Sequence, residues 1–291
     1  MIGVVADCRL GNQLFQYAFI KGLSARLNTP FFINQQITRF IAADYFDFDG
    51  YRPKLNRIRQ LSLKLSTGKV HHPLQCKDID SYDSAVLRQL QDKTIYRGYF
   101  QSVNYFNNIK DQLPQFIRVK KKFSEEFERL YGNIFSQQKI IAVHIRRGDY
   151  LNLNDWWRDN LGSNNLTLPA DYYRVCLQQI PNLQNYRIIF LSDDMDFVKK
   201  TFADIPNALF STNSAVIDFQ LLLNAQICII ANSSFAWWAA YLNTKPQKRV
   251  FCPQYWLGFK VGHEYPRGII PSQWTQIPVP NLLPNTNFKW D

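Results

Sequence analysis

A four-residue apolar run, Ile140-Ile141-Ala142-Val143, passes without interruption into His144-Ile145-Arg146-Arg147-Gly148-Asp149-Tyr150. An apolar run closed by a glycine turn reads as a strand buried on both faces, the kind found in parallel sheets covered by helices. Open α/β sheets bind ligands outside the carboxyl ends of such strands, so this one delivers two guanidinium groups to a ligand crevice. Arginine is permanently charged and forks onto phosphate oxygens, each charged hydrogen bond being worth roughly 1.5–3 kcal/mol, and a diphosphate ligand is the natural fit. Strand side chains alternate in direction. With Arg146 toward the ligand, Arg147 points elsewhere, into a salt bridge with Asp149 that would shape the turn.

The rest of the chain supports the same class. The start reads as strand Ile2 to Ala6, a turn from Asp7 to Asn12 and a helix from Gln13 to Leu27; Phe31-Phe32-Ile33 returns as a strand. Arg39 to Lys69 has no clean period and reads as irregular elements and exposed loops. Val86 to Gln91 reads as helix, Ile95 to Phe100 as strand and Phe123 to Tyr131 as helix. Asp155 to Thr167 is polar and Asn-rich, with Trp156 and Trp157 exposed by context. Ala170 to Ile180 then reads as helix, Arg187 to Leu191 as strand, Asp194 to Phe202 as helix, Ala208 to Phe210 as strand and Val216 to Asn224 as helix. Gln226 to Ala231, Phe235 to Leu242 and Val250-Phe251 continue as strand, helix and strand. The Pro-, Gly- and Trp-containing tail from Pro253 is expected to wrap over the surface. Alternating strands and helices imply a doubly wound parallel sheet. A boundary at Ser136-Gln137-Gln138 gives an α/β domain at 1–136 and a second at 137–291, with a cleft between them and the tail packing back on the first.

Bulk properties narrow the partners. At 291 residues the chain can bury a substantial core. Its 15% aromatic content is high, which suits both core packing and carbohydrate recognition. A formal charge of +11 favours anions, whether phosphorylated small molecules, nucleic acid or an acidic membrane face. The basic residues are scattered, without an RNA-binding aromatic signature or zinc spacing, so no nucleic acid is expected. Five cysteines, Cys8, Cys76, Cys176, Cys228 and Cys252, are unpaired in spacing and fit a reducing compartment. No signal peptide is apparent, and no segment approaches the roughly eighteen uninterrupted apolar residues of a membrane span.

Three polar turns stand at the ends of apolar strands. Gly11-Asn12-Gln13 opens the first helix, either as a phosphate- or sugar-binding amino end or as an ordinary capped turn. Ser192-Asp193-Asp194 could cap the next helix or accept hydrogen bonds from a guanine base. Asn232-Ser233-Ser234-Phe235 places hydroxyls and N–H donors where phosphate could dock. The turns at Arg146, Asp193 and Ser233 should open from one sheet edge. The D-x-D pairs Asp47/Asp49, Asp78/Asp80 and Asp194/Asp196 join no other ligand type, and His71-His72 lacks a partner, so no metal is expected. Arg147-Gly148-Asp149 spells an adhesion tripeptide, and Asn165 and Asn232 stand in glycosylation sequons, but neither fits a buried strand end in an unsecreted chain.

Taken together, Leu10-Gly11-Asn12-Gln13-Leu14-Phe15-Gln16-Tyr17-Ala18, Gly98-Tyr99-Phe100-Gln101-Ser102, His144 to Tyr150, Leu191-Ser192-Asp193-Asp194 and Asn232 to Trp238 resemble the bacterial α-1,2-fucosyltransferases of glycosyltransferase family 11. The resemblance implies a GT-B-like arrangement of two Rossmann-like halves, the second holding GDP-fucose and the first facing the acceptor. It implies an inverting, metal-independent transfer of L-fucose to the 2-hydroxyl of a terminal β-galactoside on an oligosaccharide or glycolipid. GDP-fucose is then the donor substrate and no cofactor is needed. Arg146 matches the β-phosphate arginine; His144 and Asp193 match positions near the nucleoside; Ser233, Ser234 and Phe235 match a phosphate and base contact loop; Asp149 orients the arginines. Asp7 is the candidate general base, with Asn12 at the same turn. Cys8-Arg9 stands where a glycine pair is common, a departure bearing on the acceptor-side loop. The expected place is the cytoplasm of a bacterium, with peripheral contact to the inner membrane through basic surface. Two other readings stay open: a related transferase with another acceptor linkage, and a noncatalytic anion- or nucleic-acid-binding protein.

Overall fold

The computed structural model describes residues 1–67, 74–75, 87–88 and 90–279. It divides into two compact units, Met1–Lys120 with Tyr265–Pro271, and Lys121–Glu264 with Ser272–Asp291. The division falls at Lys120/Lys121 rather than near Gln137, because the helix there packs with the second unit's elements.

In the first unit, β1 (Ile2–Val5), α1 (Leu10–Leu27) and β2 (Phe31–Asn34) form a βαβ turn; α2 (Ala42–Tyr45), β3 (Phe46–Phe48) and α3 (Pro53–Thr67) follow, then β4 (Leu74–Gln75), β5 (Ile95–Arg97), α4 (Leu113–Phe116) and β6 (Ile117–Val119). A parallel sheet runs in the order β2-β1-β5-β4, and β3 pairs antiparallel with β6. The rings of Phe19 and Phe100 stack at 3.7 Å, with Tyr96 and Tyr105 edge-on to Phe19, so much of the aromatic content fills core. Helix α1 starts at Leu10, three residues before its expected start, because the chain reverses within Asp7-Cys8-Arg9: Cys8 adopts φ 59°, the left-handed region that glycine enters freely. The strand expected to reach Phe100 stops at Arg97, since Phe100 also turns left-handed. The span from Arg39 is not irregular. It contains α2, β3 and the 15-residue α3, whose period was obscured because its inner face is polar. Of the helix expected at 86–91, Leu87 and Arg88 are helical, Leu90 and Gln91 are not, and 86 and 89 lie outside the described residues, as do Cys76, His71-His72 and Asp78/Asp80.

The second unit comprises α5 (Lys121–Gln137), β7 (Lys139–Ile145), α6 (Asp155–Leu161), α7 (Ala170–Gln178), β8 (Tyr186–Ser192), α8 (Met195–Thr201), β9 (Ala208–Phe210), α9 (Ala215–Asn224), β10 (Ile227–Ile230), α10 (Ser234–Leu242), β11 (Arg249–Pro253) and β12 (Thr275–Ile277). All pairings are parallel, in the order β12-β11-β10-β7-β8-β9. Read from β9 and numbered from β7, this is the 3-2-1-4-5-6 order of a dinucleotide-binding sheet, reversing direction between β7 and β10. Ile141, Val143, Ile188, Phe190, Ile227 and Ile229 are buried in one core with Tyr172, Tyr173 and Cys176. The tail is not simply a surface wrap: it supplies β12, and Trp256 and Trp274 are buried. Cys8, Cys176, Cys228 and Cys252 are free thiols. Among the described residues no helix is long and apolar enough to cross a membrane.

Candidate functional site

The site grows from the sheet's reversal. β7 lies between β8 and β10, with His144 opposite both Leu191 and Ile230 and Ile145 opposite Ser192. The turns at Arg146, Asp193 and Asn232-Ser233 therefore leave the same carboxyl edge from three adjacent strands, at the crevice where such sheets take ligands.

Arg146 is held from two sides. Its Nη1 is ion-paired with Asp193 Oδ2 at 2.8 Å, its Nη2 donates to Asp149 Oδ1, and the guanidinium sits 5.5 Å from the centre of the Tyr150 ring. Arg147 diverges from it, as alternation requires, but its partner is not Asp149. Its Nε donates to Asp194 Oδ2 at 2.9 Å and its guanidinium lies 3.5 Å over the Phe197 ring, while its backbone N–H donates to Asp193 Oδ1 at 2.9 Å. The reason is geometric. Asp149 lies on the 3₁₀ turn beneath Arg146, whereas Asp194 is the amino cap of α8 and accepts from Phe197 N–H. The Arg147 hydrogen bond is the main cause that holds the Asp194 carboxyl below its usual range. Gly148 permits the close approach: a Cβ there would stand 2.4 Å from Asp193 Oδ2.

Beside this cluster, His144 is 7% exposed and its Nδ1 has no partner. Burial, with the Arg146 charge second, pushes its imidazole down to about 3, so it is neutral at ordinary pH. The Phe235 ring lies 5.7 Å from it. Asn232 is fully buried; its Nδ2 donates to Leu166 carbonyl, its backbone carbonyl accepts from Tyr150 hydroxyl at 3.1 Å, and its Oδ1 is unpartnered. Helix α10 then begins without a side-chain cap at Ser233. Its first internal bond is Trp237 N–H to Ser233 carbonyl, so the N–H groups of Ser234, Phe235 and Ala236 point out of the helix end. A guanidinium, an uncapped amino end, a neutral imidazole nitrogen and an amide oxygen thus converge on one sheet edge. That set suits an anion carrying a hydrogen-bonding base or sugar.

The first unit has a separate polar turn. Asp7 Oδ1 accepts from Cys8 N–H at 2.8 Å and Oδ2 lies 3.6 Å from Arg97. Cys8 Sγ is 3.2 Å from Tyr99 hydroxyl, and Asn12 Oδ1 accepts from Gln101 Nε2 at 2.8 Å. Buried Gln13 and Gln16 brace the turn, Gln13 through the Cys8 and Arg39 carbonyls and Ala42 N–H, Gln16 through Gly98 carbonyl and Asp7 N–H. The sequence reading allowed for Asp194 as a helix cap, which it is, but missed its pairing with Arg147 and the roles of Asn232, Gln13 and Gln16. Two glutamines three apart on an otherwise apolar helix were the available signal. Among the described residues no three His, Cys, Asp or Glu side chains form a group that could hold a metal ion.

Comparison with known proteins agrees with this class. The α/β fold is similar to that of the structure described as NodZ α-1,6-fucosyltransferase soaked with GDP-fucose, at a TM-score of 0.53 and 15% identity over 83% of this chain and 92% of that one. It is also similar to fucosyltransferase NodZ from Bradyrhizobium, at a TM-score of 0.50 and 13% identity over 82% and 92%. The fold is thus α/β and GT-B-like. Residues 1–254 match glycosyl transferase family 11, and the chain belongs to that family. The Escherichia coli O-antigen biosynthesis glycosyltransferase WbnK is 32% identical over 55% of this chain and 54% of its own length. An Escherichia coli α-1,2-colitosyltransferase is 26% identical over 61% of each, and rabbit (Oryctolagus cuniculus) galactoside α-(1,2)-fucosyltransferase 1 is 24% identical over 81% of this chain and 62% of its own. The matched stretch thus spans between about half and two thirds of these relatives' length.

Proposed function

We propose that this protein transfers L-fucose from GDP-fucose to the 2-hydroxyl of a terminal β-galactoside, forming an α-1,2 linkage with inversion and without a metal ion. The observation that carries the reading is the Arg146 guanidinium beside the uncapped amino end of α10, with the neutral His144 nitrogen between strand end and helix. Family membership and the names of the relatives supply the sugar and linkage; the NodZ description supplies GDP-fucose.

As the bond from fucose C1 to the β-phosphate oxygen breaks, positive charge spreads over the sugar ring and negative charge collects on the departing GDP. One of the five Arg146 N–H donors is given to Asp149, which keeps the guanidinium oriented and leaves the others for phosphate oxygens. The α10 N–H groups add fixed dipoles, and one preorganised donor of this kind is worth about 10²–10³ in rate. Two guanidiniums among Asp149, Asp193 and Asp194 leave the apo cluster one charge negative, so a diphosphate binds when exposed Asp193 swings off Arg146. Freed in this way, Asp193 accepts the guanine edge N–H groups. The acceptor hydroxyl attacks C1 opposite GDP and gives its proton to Asp7, with Asn12 placing the acceptor. We place the reaction on the cytoplasmic side of a bacterial membrane, on a galactose-terminated oligosaccharide or glycolipid.

The test is transfer from GDP-fucose to a panel of β-galactosides in EDTA, with linkage analysis of the product. GDP release and an α-1,2 product are expected, with Arg146→Ala reducing the rate at least about 10²-fold and Asp7→Asn lowering kcat. No transfer across the panel, or an undiminished Arg146→Ala rate, overturns the reading.

A further inference from the structure

Helix α3 is built inside out. Its protein-facing side is polar and bonded to the edge of the first sheet: Asn56 Oδ1 accepts from Ile33 N–H at 2.6 Å and its Nδ2 donates to Ile33 carbonyl at 2.8 Å. Arg59 donates to the Phe31 and Gly50 carbonyls, and Gln60 reaches Asn34 Oδ1 at 3.4 Å. Since β2 is the outer strand, these bonds occupy backbone groups that a further strand would otherwise take.

The outward side is apolar. Leu55, Ile58 and Leu61 form a ridge that is 37%, 62% and 60% exposed, and Ile37, in the loop after β2, is 50% exposed. An ordinary surface helix turns its apolar stripe to the core and its polar residues to water. At 100° per residue, exposed Lys54 falls between Ile58 and Leu61 on the outward face and exposed Arg57 borders it beside Leu61, and the whole of α3 carries four basic residues, Lys54, Arg57, Arg59 and Lys64, with no acidic one. An exposed face of branched aliphatics interleaved with cations and free of acidic residues matches a surface that is apolar beneath and anionic above, the long Lys54 stem letting its ammonium rise to the headgroups. That is the boundary of a bilayer containing acidic phospholipid.

We propose that α3 is an interfacial helix, lying in the plane of an anionic membrane with Leu55, Ile58 and Leu61 among the acyl chains and Lys54 and Arg57 at the headgroups. Charge complementarity selects this occupant. A second copy would set the cations of one α3 against those of the other, and the formal charge of +11 adds repulsion between copies. The inference does not depend on which sugar is transferred, and it suits an acceptor carried on lipid.

Vesicle cosedimentation of the full chain tests it, using phosphatidylcholine vesicles with and without phosphatidylglycerol, alongside Ile58→Ser/Leu61→Ser, Lys54→Gln/Arg57→Gln, thermal melts and sedimentation velocity. Wild type is expected to sediment with the phosphatidylglycerol vesicles only, and less so as salt rises. Each basic residue near such a surface is worth about fivefold in partition, so Lys54→Gln/Arg57→Gln should lose more than about tenfold. Ile58→Ser/Leu61→Ser should lose at least as much with an unchanged melting temperature. The proposal fails if wild type ignores the acidic vesicles, or if both variants bind as well as wild type. It fails equally if Ile58→Ser/Leu61→Ser melts markedly lower, which would mean that the chain itself covers the ridge, or if wild type is a dimer that this variant splits.

Discussion

His144→Gln isolates the cost of keeping a neutral imidazole at the reversal of the second sheet. Burial and the adjacent Arg146 hold His144 at about 3, against an ordinary value of 6.5. A folded-state value below the unfolded one means that the unfolded chain takes the proton first. Stability is therefore intact above about 6.5 and is lost as pH falls toward 3. The gap of about 3.5 pH units corresponds to about 5 kcal/mol over the whole window, at 1.36 kcal/mol per unit, and to about 2 kcal/mol by pH 5. Asp218 works in the opposite direction: burial raises it from 3.8 to about 6, so the folded state takes its proton first and gains about 1.4 kcal/mol by pH 5. The wild-type profile thus hides both effects, and only the variants separate them. The six described tryptophans, Trp156, Trp157, Trp237, Trp238, Trp256 and Trp274, belong to the second unit, so urea unfolding followed by tryptophan fluorescence reports the unit that contains both groups. Between pH 7.5 and pH 5 the stability of His144→Gln should rise by about 2 kcal/mol relative to wild type, and that of Asp218→Asn should fall by about 1.4 kcal/mol. Parallel wild-type and His144→Gln profiles would refute the claim that this imidazole is buried neutral.

Gly148→Ala should act on the ligand site and not on the fold. The new Cβ would stand 2.4 Å from the Asp193 oxygen that pairs with Arg146, so the carboxylate must move and the ion pair opens. GDP binding by titration calorimetry should tighten about tenfold, because the Asp193–Arg146 pair that a diphosphate must open is already open; weaker binding would show that this pair instead orients Arg146 for phosphate. Asn56→Ala should destabilise the first unit by about 3 kcal/mol, since Ile33 N–H and carbonyl both lose their partner. Scanning calorimetry reads this, the first unit having no tryptophan, and a loss below about 1 kcal/mol would show that water replaces the amide at no cost.

How much of this was legible in the sequence follows from which side of each element is polar. The second unit reads well because β7, β8 and β10 are continuous apolar runs followed by polar turns, so Arg146, Asp193 and Ser233 could be placed on one edge before any coordinates. The detail of the pairing could not. Arg147 meets Asp194, not Asp149, because the cap of α8 stands one residue beyond Asp193 and faces the neighbouring strand, a relation between strands that alternation along one strand does not contain. The first unit reads poorly for a single physical reason. Where Gln13, Gln16 and Asn56 do interior work, they interrupt the apolar period by which a helix is recognised. Gln13 and Gln16 cost little, because sixteen other positions of α1 keep its pattern, whereas Asn56, Arg59 and Gln60 invert α3 and leave Leu55, Ile58 and Leu61 outward. A polar inner face bonded to a sheet edge and an aliphatic outer face are thus two halves of one arrangement. If the outer face were packed within the chain, the inward polar bonds would leave α3 no side for water; an anionic bilayer supplies the surface that such a helix lacks.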